Sequence, residues 1–222
     1  MYHSAMEPRP VSCSSFVPLL RRMSYLILKR GFDLVFSLVL LVTCALLMAV
    51  IALVVWLDSP GKIIYTQIRL GYGGKPFTIY KFRSMQQSTA PDDAKWTSEN
   101  DTRITRVGHI LRLTHLDELP QLLNILMGQM SFVGTRPEVP RYVRQYTPQM
   151  LATLLLPAGV TSQASIRYKD EDRLLDSSAD PDRTYVEQVL PGKMEYNLNS
   201  LLDFSLWQDL KTMVQTVGAV LH

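Results

Sequence analysis

Cysteine is scarce in this chain of 222 residues. Of its two cysteines, Cys13 lies in an N-terminal segment that is rich in proline and serine, and Cys44 lies inside a long apolar run. Two cysteines in such places exclude a disulfide framework and a zinc site made of cysteine and histidine. We therefore expect the globular part of the chain to face a reducing cytoplasm.

Other features are also missing, and each excludes a class of protein. The formal net charge of +3 is too small to indicate a nucleic-acid partner. Residues 1–22 lack the apolar core of a secretory signal peptide, and their composition predicts a flexible, dispensable tail. Residues 71–75 are rich in glycine but lack the lysine spacing of a phosphate-binding P-loop, which favours a hairpin turn.

Charge is absent from residues 34–57, a run of 24 mostly apolar residues between Asp33 and Asp58. As one helix this run would be about 36 Å long, enough to cross a hydrocarbon core of about 30 Å. A buried core helix is the weaker alternative, because soluble helices of this length seldom lack a polar face. Residues 23–58 are therefore predicted to form a membrane-anchoring helix.

Basic residues lie on both sides of this run, with Lys29 and Arg30 before it and further lysine and arginine residues after it. The positive-inside rule places both ends in the cytoplasm, so a helix that enters the membrane and returns fits better than one that spans it. Such a re-entrant helix needs a bend. We expect the bend near residues 43–46, where the hydroxyl of Ser37 or Thr43 would satisfy freed backbone groups.

Residues 59–222 are predicted to form a small cytoplasmic catalytic domain. It begins with two strands, Ile63–Arg69 and Pro76–Met85, that form a β-hairpin. The period-two pattern places Lys81 and Arg83 on one face of the second strand, either in a site or on a solvated edge. Several helices follow, so the predicted fold class is α+β.

Two of these helices are amphipathic and could lie at a membrane interface. The first is expected from Arg103 to Leu113, and the second, from Ser205 to Leu221, has an apolar side that belongs either to the core or to a membrane surface. Residues 86–102 and 169–182 are predicted to be flexible, and Pro191-Gly192 is predicted to separate two helices.

Residues 114–138 contain the most informative chemistry. Asp117 and Glu118 precede an apolar helical run with Pro120 in its first turn, which predicts that both carboxylates lie at a positive helix end. That field would lower their pKa values and keep Asp117 ionised as a nucleophile, while Glu118 supplies a hard oxygen ligand for Mg²⁺. The competing interpretation is that Asp117 is only an N-cap and Glu118 only a favourable first-turn residue.

Four motifs in a fixed order carry a family resemblance over residues 25–220. They are Lys29-Arg30-Gly31-Phe32-Asp33, Tyr80-Lys81-Phe82-Arg83-Ser84-Met85, Leu116-Asp117-Glu118-Leu119-Pro120-Gln121-Leu122 and Met130-Ser131-Phe132-Val133-Gly134-Thr135-Arg136-Pro137-Glu138. Together they resemble the bacterial sugar transferase family, the monotopic polyprenol-phosphate phosphoglycosyl transferases.

The resemblance implies a two-step phosphoryl transfer at the cytoplasmic face of the bacterial inner membrane. Asp117 would take sugar-1-phosphate from a UDP-sugar and release UMP, and polyprenol (undecaprenyl) phosphate would then accept it. Glu118 would bind Mg²⁺. The reaction would initiate exopolysaccharide, capsule or O-antigen synthesis. The alternatives are a phosphohydrolase, or a catalytically silent module that binds sugar nucleotides or organises a polysaccharide assembly complex. Membrane lipids are expected partners. A homo-oligomer is left open.

The resemblance also implies a substrate-binding set, which consists of Lys81, Arg83, Arg112, Arg136 and Glu138. Arg112 would steady the acidic pair or a phosphate, and Arg136 would contact the nucleotide or its diphosphate. At the membrane surface, Asp33 would pair with Lys29 or Arg30.

Three segments depart from the family pattern. Ala45-Leu46 stands where many members carry Ser-Pro midway through the apolar helix, so the re-entrant prediction rests on flanking charge and family likeness. Gly134-Thr135-Arg136-Pro137 replaces Gly-Pro-Arg-Pro but keeps the cation. Ala158-Gly159-Val160-Thr161-Ser162 replaces Pro-Gly-Ile-Thr-Gly, which leaves the sugar unassigned.

Overall fold

The computed structural model describes residues 23–86, 101–202 and 205–221, which form helices around two small sheets. The helices are α1 (Met23–Thr43), α2 (Ala45–Asp58), α3 (Arg106–Leu113), α4 (Gln121–Leu126), α5 (Pro140–Val143), α6 (Gln163–Arg167), α7 (Glu171–Asp176), α8 (Pro181–Thr184), α9 (Leu190–Leu202) and α10 (Leu206–Leu221). The strands are β1 (Ile64–Leu70), β2 (Pro76–Phe82), β3 (Met130–Val133) and β4 (Ala158–Thr161). The predicted α+β class is confirmed, whereas the predicted tail and most of the predicted loop at 86–102 lie outside the described residues.

The apolar run folds as two helices rather than one. α1 and α2 meet at Cys44 with a bend of 61°. Within the described ranges neither helix alone is long and apolar enough to cross a membrane, whereas the bent pair taken together has the length and composition for it. The Thr43 hydroxyl donates to the Val39 carbonyl at 2.9 Å, and hydroxyl bonds of this kind bend helices. The bend predicted near residues 43–46 is thus confirmed.

One side of this helix pair packs against the rest of the chain, and the other side is exposed. Phe32 and Phe36 of α1 contact Phe132 of β3, with Phe36 and Phe132 ring centroids 5.1 Å apart. The outward side is apolar and includes Val42 and Leu46, which are exposed. A continuous exposed apolar surface of this kind marks contact with lipid or with another apolar surface.

β1 and β2 form the predicted antiparallel hairpin. Its turn contains Gly73 and Gly74, whose φ angles of 65° and 71° are readily adopted only by glycine. β2 is shorter than predicted, because it ends at Phe82 and Met85 pairs instead with Ile104 in an isolated bridge.

β3 and β4 form a parallel pair in which Met130 lies opposite Ala158. The two chain segments approach so closely at one end that a Cβ on Gly159 would lie 2.1 Å from the backbone nitrogen of Gly134. Glycine at these two positions therefore fixes where the chain leaves β3 and continues to Arg136.

Two segments are more helical than predicted. Residues 169–182 contain α7 and the start of α8, because Leu175 of α7 is fully buried in the core rather than left in solvent. Pro191-Gly192 does not separate two helices, since α9 begins at Leu190 and runs through it. A π-helical turn at Tyr185–Val189 comes just before, and the change of hydrogen-bond register there accommodates the missing N–H of the proline.

α10 is amphipathic as predicted, but its polar side faces the protein. Asp209 and Thr212 are buried, whereas Trp207 and Val214 are 77% and 72% exposed. Of the two alternatives left by the sequence, the structure therefore favours a surface role for most of the apolar side. This side resembles the outer side of α1 and α2 in carrying large apolar residues that the protein does not cover.

Candidate active site

The acidic pair lies in a 3₁₀ turn between α3 and α4. Asp117 and Glu118 belong to the turn Leu116–Glu118, and the α-helix begins only at Gln121. The helix therefore begins at Gln121 rather than close to Asp117, and the acidic pair precedes it. Pro120 lacks the backbone N–H that would continue an α-helix back through the turn, which accounts for the tighter local geometry.

Two cations hold the Glu118 carboxylate. Its Oε1 accepts hydrogen bonds from Lys81 Nζ at 2.7 Å and from Arg136 Nη2 at 2.5 Å. Burial disfavours charge on Glu118, but attraction to Arg136 and Lys81 outweighs burial and holds the Glu118 pKa well below its usual range. The same pairing raises the pKa of Arg136. Glu118 is therefore ionised, with one oxygen already engaged.

The pKa of Asp117 is shifted in the opposite direction, because burial outweighs the neighbouring cations. Burial raises the pKa of this carboxyl above its ordinary value, the Glu118 charge adds to the increase, and Lys81 and His115 work against it. The expectation that a helix end lowers the Asp117 pKa is wrong, because the desolvation of the side chain outweighs any dipole of the short α4. Once ionised, Asp117 is a poorly solvated carboxylate, which is a favourable state for a nucleophile.

Arg136 reaches the acidic pair from the loop after β3. Its Nη1 also donates to the Val160 carbonyl of β4 at 3.3 Å. The Arg136 side chain is 39% exposed, so part of its guanidinium is accessible to an anion from outside. Lys81 comes from β2, and the structure thus brings Lys81, Arg136 and the acidic pair together from three segments that are distant in sequence.

The structure does not bring the other predicted substrate-binding residues to the acidic pair. Arg83 is buried and donates to the Ser59 carbonyl at 2.5 Å, where it caps the end of α2. Glu138 is buried and accepts a hydrogen bond from the Tyr185 hydroxyl. Arg112 of α3 makes no hydrogen bond or ion pair with the acidic pair in the part of the chain that the structure describes.

Two of the predicted membrane-interface residues, Lys29 and Asp33, are buried in the protein, and Arg30 is half-buried. Lys29 pairs with Asp209 of α10 at 2.6 Å. Arg30 donates to two carbonyls at the end of α4, at 2.6 and 2.8 Å, and Asp33 accepts from a backbone N–H of β3 at 3.3 Å. The predicted ion pair between Asp33 and Lys29 or Arg30 is absent from the described residues, because each of the three side chains has another partner.

Two residues that the sequence reasoning missed border a cleft beside Lys81 and Arg136, the two cations that hold Glu118. Arg69 of β1 and Gln121 of α4 line this cleft together with Lys81 and Arg136. Gln121 belongs to the same sequence motif as the acidic pair, and this was the available signal. Arg69 gave no comparable signal, because only the packing of the hairpin shows which of its sides meets the cleft.

The acidic pair offers hard oxygen ligands of the kind that Mg²⁺ prefers. Among the described residues, Glu118 Oε2 has one long contact, 3.5 Å to Arg136 Nη1, and so retains capacity for a cation. No group of three or more histidine, cysteine or carboxylate side chains converges within the described ranges. Since Mg²⁺ is commonly bound by one or two carboxylates together with substrate phosphates and water, the residues present fit this ion.

The fold and the site define a class of protein, namely an α+β domain with an acidic pair between two cations and a bent apolar helix pair at its N-terminal side. The sequence model of the bacterial sugar transferase family matches residues 24–222. The chain therefore belongs to the bacterial sugar transferase family.

Curated relatives from other bacteria are similar over most of this chain. The UDP-N-acetylgalactosamine-undecaprenyl-phosphate N-acetylgalactosaminephosphotransferase of Aeromonas hydrophila is 32% identical over 89% of this chain and 44% of its own length. The UDP-glucose:undecaprenyl-phosphate glucose-1-phosphate transferases of Escherichia coli and Caulobacter vibrioides are each 34% identical, over 86% and 87% of this chain and 39% and 69% of their own lengths. The chain thus spans less than half the length of two of these three relatives.

Proposed function

We propose that this protein is a phosphoglycosyl transferase that moves sugar-1-phosphate from a UDP-sugar to polyprenol (undecaprenyl) phosphate. The observation that carries the proposal is the buried Asp117 beside Glu118, whose charge is held by Lys81 and Arg136. Membership of the family supports it, as do the activities in the names of the relatives.

In the first step an Asp117 carboxylate oxygen attacks the phosphorus atom that carries the sugar. A bond forms between this oxygen and phosphorus, the bond from phosphorus to the bridging oxygen breaks, and UMP leaves with the electron pair. Glu118 is a poor second nucleophile because its Oε1 already accepts two cationic donors. It instead keeps Lys81 and Arg136 beside the phosphoryl oxygens, whose charge they neutralise.

In the second step a phosphate oxygen of polyprenol phosphate attacks the same phosphorus atom. The bond to Asp117 breaks, and the products are polyprenyl-diphosphate-sugar and a free carboxylate. The covalent intermediate allows a soluble substrate and a lipid substrate to react in turn. Mg²⁺ held by Glu118 would supply further positive charge to the phosphoryl oxygens.

Release of UMP from a panel of UDP-sugars, with undecaprenyl phosphate as acceptor, tests this function. We expect continuous UMP release with at least one donor and an equal amount of polyprenyl-linked sugar phosphate, because each turnover regenerates Asp117. A catalytically silent module would release no UMP with any donor. A phosphohydrolase would release UMP and free sugar phosphate continuously without lipid.

We further propose that α1 and α2 form a re-entrant anchor at the cytoplasmic face of the bacterial inner membrane. The bend of 61°, the exposed apolar side of the pair and the exposed Trp207 and Val214 of α10 support this placement. Basic residues on both sides of the apolar run oppose translocation of either end. The lipid phosphate and the nucleotide sugar would then both reach Asp117 at the membrane surface.

Single cysteines test this topology in a variant that carries serine at Cys13 and Cys44. A cysteine introduced at Ser4 or at the exposed Lys62 is expected to resist an impermeant thiol reagent in intact cells, because both sites would lie in the cytoplasm. Both should react after the cells are permeabilised, which is the control for accessibility. Labelling of only one of the two variants in intact cells would show that the helix pair spans the membrane.

A further inference from the structure

The cleft bordered by Lys81 and Arg136, the cations that hold Glu118, contains a buried side-chain donor without a partner among the described residues. Gln121 is 1% exposed, and its Nε2 has no hydrogen-bond partner among the described residues. An unpaired buried amide N–H is unfavourable, and most such groups in proteins are satisfied. A donor kept in this state at the edge of a cleft points to a ligand that accepts its hydrogen bond.

The rest of the polar lining of this cleft is cationic. Arg69, Lys81 and Arg136 border it with Gln121. Arg69 is held by the Gln67 side chain at 2.7 Å, so its guanidinium has a fixed position. Three cations and one neutral donor around a single cleft match a phosphoryl group, whose oxygens accept several hydrogen bonds at once.

We propose that Gln121 donates a hydrogen bond from Nε2 to a non-bridging oxygen of the phosphoryl group that is transferred, and that it does so in both half-reactions. This inference rests on the proposed function, because it names a contact within the same site. Gln121 follows Asp117 by four residues at the start of α4, so the amide and the attacking carboxylate belong to one short segment. A neutral amide binds the phosphoryl oxygen without forming an ion pair with Asp117, whereas a further cation there would stabilise that carboxylate and weaken it as a nucleophile.

Replacing Gln121 with leucine removes the amide and nearly preserves the size of the side chain. We expect both half-reactions to slow by about ten- to a hundredfold, the range for a lost hydrogen bond to a charged group. The melting temperature should stay the same or rise, because an unpaired buried donor is removed. The first half-reaction is followed as sugar label retained on the protein from radiolabelled UDP-sugar without lipid, and the second as loss of that label when undecaprenyl phosphate is added.

Asn124 provides a matched control three residues along the same helix. Its buried amide is fully used, since it accepts from Tyr80 N at 3.1 Å and donates to the Thr78 carbonyl at 2.7 Å. Asn124→Leu should therefore lower the melting temperature, in contrast to Gln121→Leu. If Gln121→Leu also melts early and leaves both rates at the wild-type level, Gln121 is structural and the inference is overturned. Slowing of the first half-reaction alone would also overturn it, because the contact would then be to the departing nucleotide.

Binding of inorganic pyrophosphate to the purified protein separates this inference from the proposed function. Titration calorimetry should show about tenfold weaker binding to Gln121→Leu than to wild type. If no UDP-sugar is turned over but this difference is found, the proposed function fails and the phosphoryl contact stands. If turnover is found and Gln121→Leu matches wild type in both rates and in pyrophosphate binding, only the inference fails.

Discussion

Replacement of Asp117 by asparagine is expected to lower turnover by at least about a thousandfold and to abolish covalent labelling. The side-chain amide cannot form the bond to phosphorus, and the adjacent Glu118 is a poor replacement because its Oε1 already accepts from Lys81 and Arg136. The measurement incubates the protein with radiolabelled UDP-sugar without lipid acceptor, denatures it and counts the sugar label that stays on the chain. Wild type should retain label, and Asp117→Asn should retain none.

The same substitution should leave the folded protein at least as stable at neutral pH. Burial raises the Asp117 pKa, so the folded state holds this proton to higher pH than the unfolded state does. The contribution of Asp117 to the free energy of unfolding is therefore largest in acid and falls as the pH rises through the raised pKa. Asparagine has no charge at any pH, and the variant should melt at or above the wild-type temperature at pH 7.

Glu118→Gln is the matched control, since it makes the same change of charge one residue away. Ionised Glu118 supports Lys81 and Arg136, so its neutralisation should lower the free energy of unfolding by about 2 kcal/mol, less than for a fully buried pair because Arg136 is partly exposed. This variant should still be labelled, slowly and with weakened dependence on Mg²⁺, because Asp117 remains. Equal labelling of wild type and Asp117→Asn would eliminate Asp117 as the nucleophile.

The sequence predicted the chemical types at the site better than the contacts that hold them. One short stretch of sequence shows two adjacent carboxylates and an arginine eighteen residues after Glu118. The alternation of residues in the second strand predicted the face of the strand on which Lys81 lies. The bend near residues 43–46 could also be predicted, because flanking charge and the Thr43 hydroxyl are local properties. These features depend on residue identity and spacing alone.

The remaining features depend on packing between distant segments. Lys81 and Arg83 share one face of a strand pattern, yet β2 ends at Phe82, and Arg83 turns to the carbonyls at the end of α2. The direction of the Asp117 pKa could not be predicted, because burial by the whole domain outweighs the local helix field. The burial of Asp209 in an ion pair could not be predicted either, since a carboxylate on the polar side of an amphipathic helix is ordinarily solvated.

The buried pair between Lys29 of α1 and Asp209 of α10 should have a large effect on stability. The Asp209 carboxylate accepts from Lys29 Nζ at 2.6 Å and from the Tyr25 hydroxyl at 2.8 Å, and both side chains of the ion pair are nearly enclosed. Asp209→Asn leaves the Lys29 charge buried and poorly paired, which should lower the free energy of unfolding by about 3 kcal/mol. Thermal unfolding in detergent should show a melting temperature lower by about 10 °C.

Two controls separate the loss of this pair from a general loss of charge. Replacing Lys29 with methionine and Asp209 with leucine together should restore most of the lost stability, because an apolar pair leaves no buried charge. Glu187→Gln breaks the exposed pair with Arg183 and should not change the melting temperature measurably.

The helix α10 also reaches the active site. The hydroxyl of Thr216 in α10 is hydrogen-bonded to the hydroxyl of Thr161 in β4 at 2.7 Å, and the neighbouring Val160 carbonyl accepts a hydrogen bond from Arg136. Asp209→Asn should therefore slow transfer as well, and a variant that melts and reacts like wild type would show that this ion pair does not hold α10 against α1.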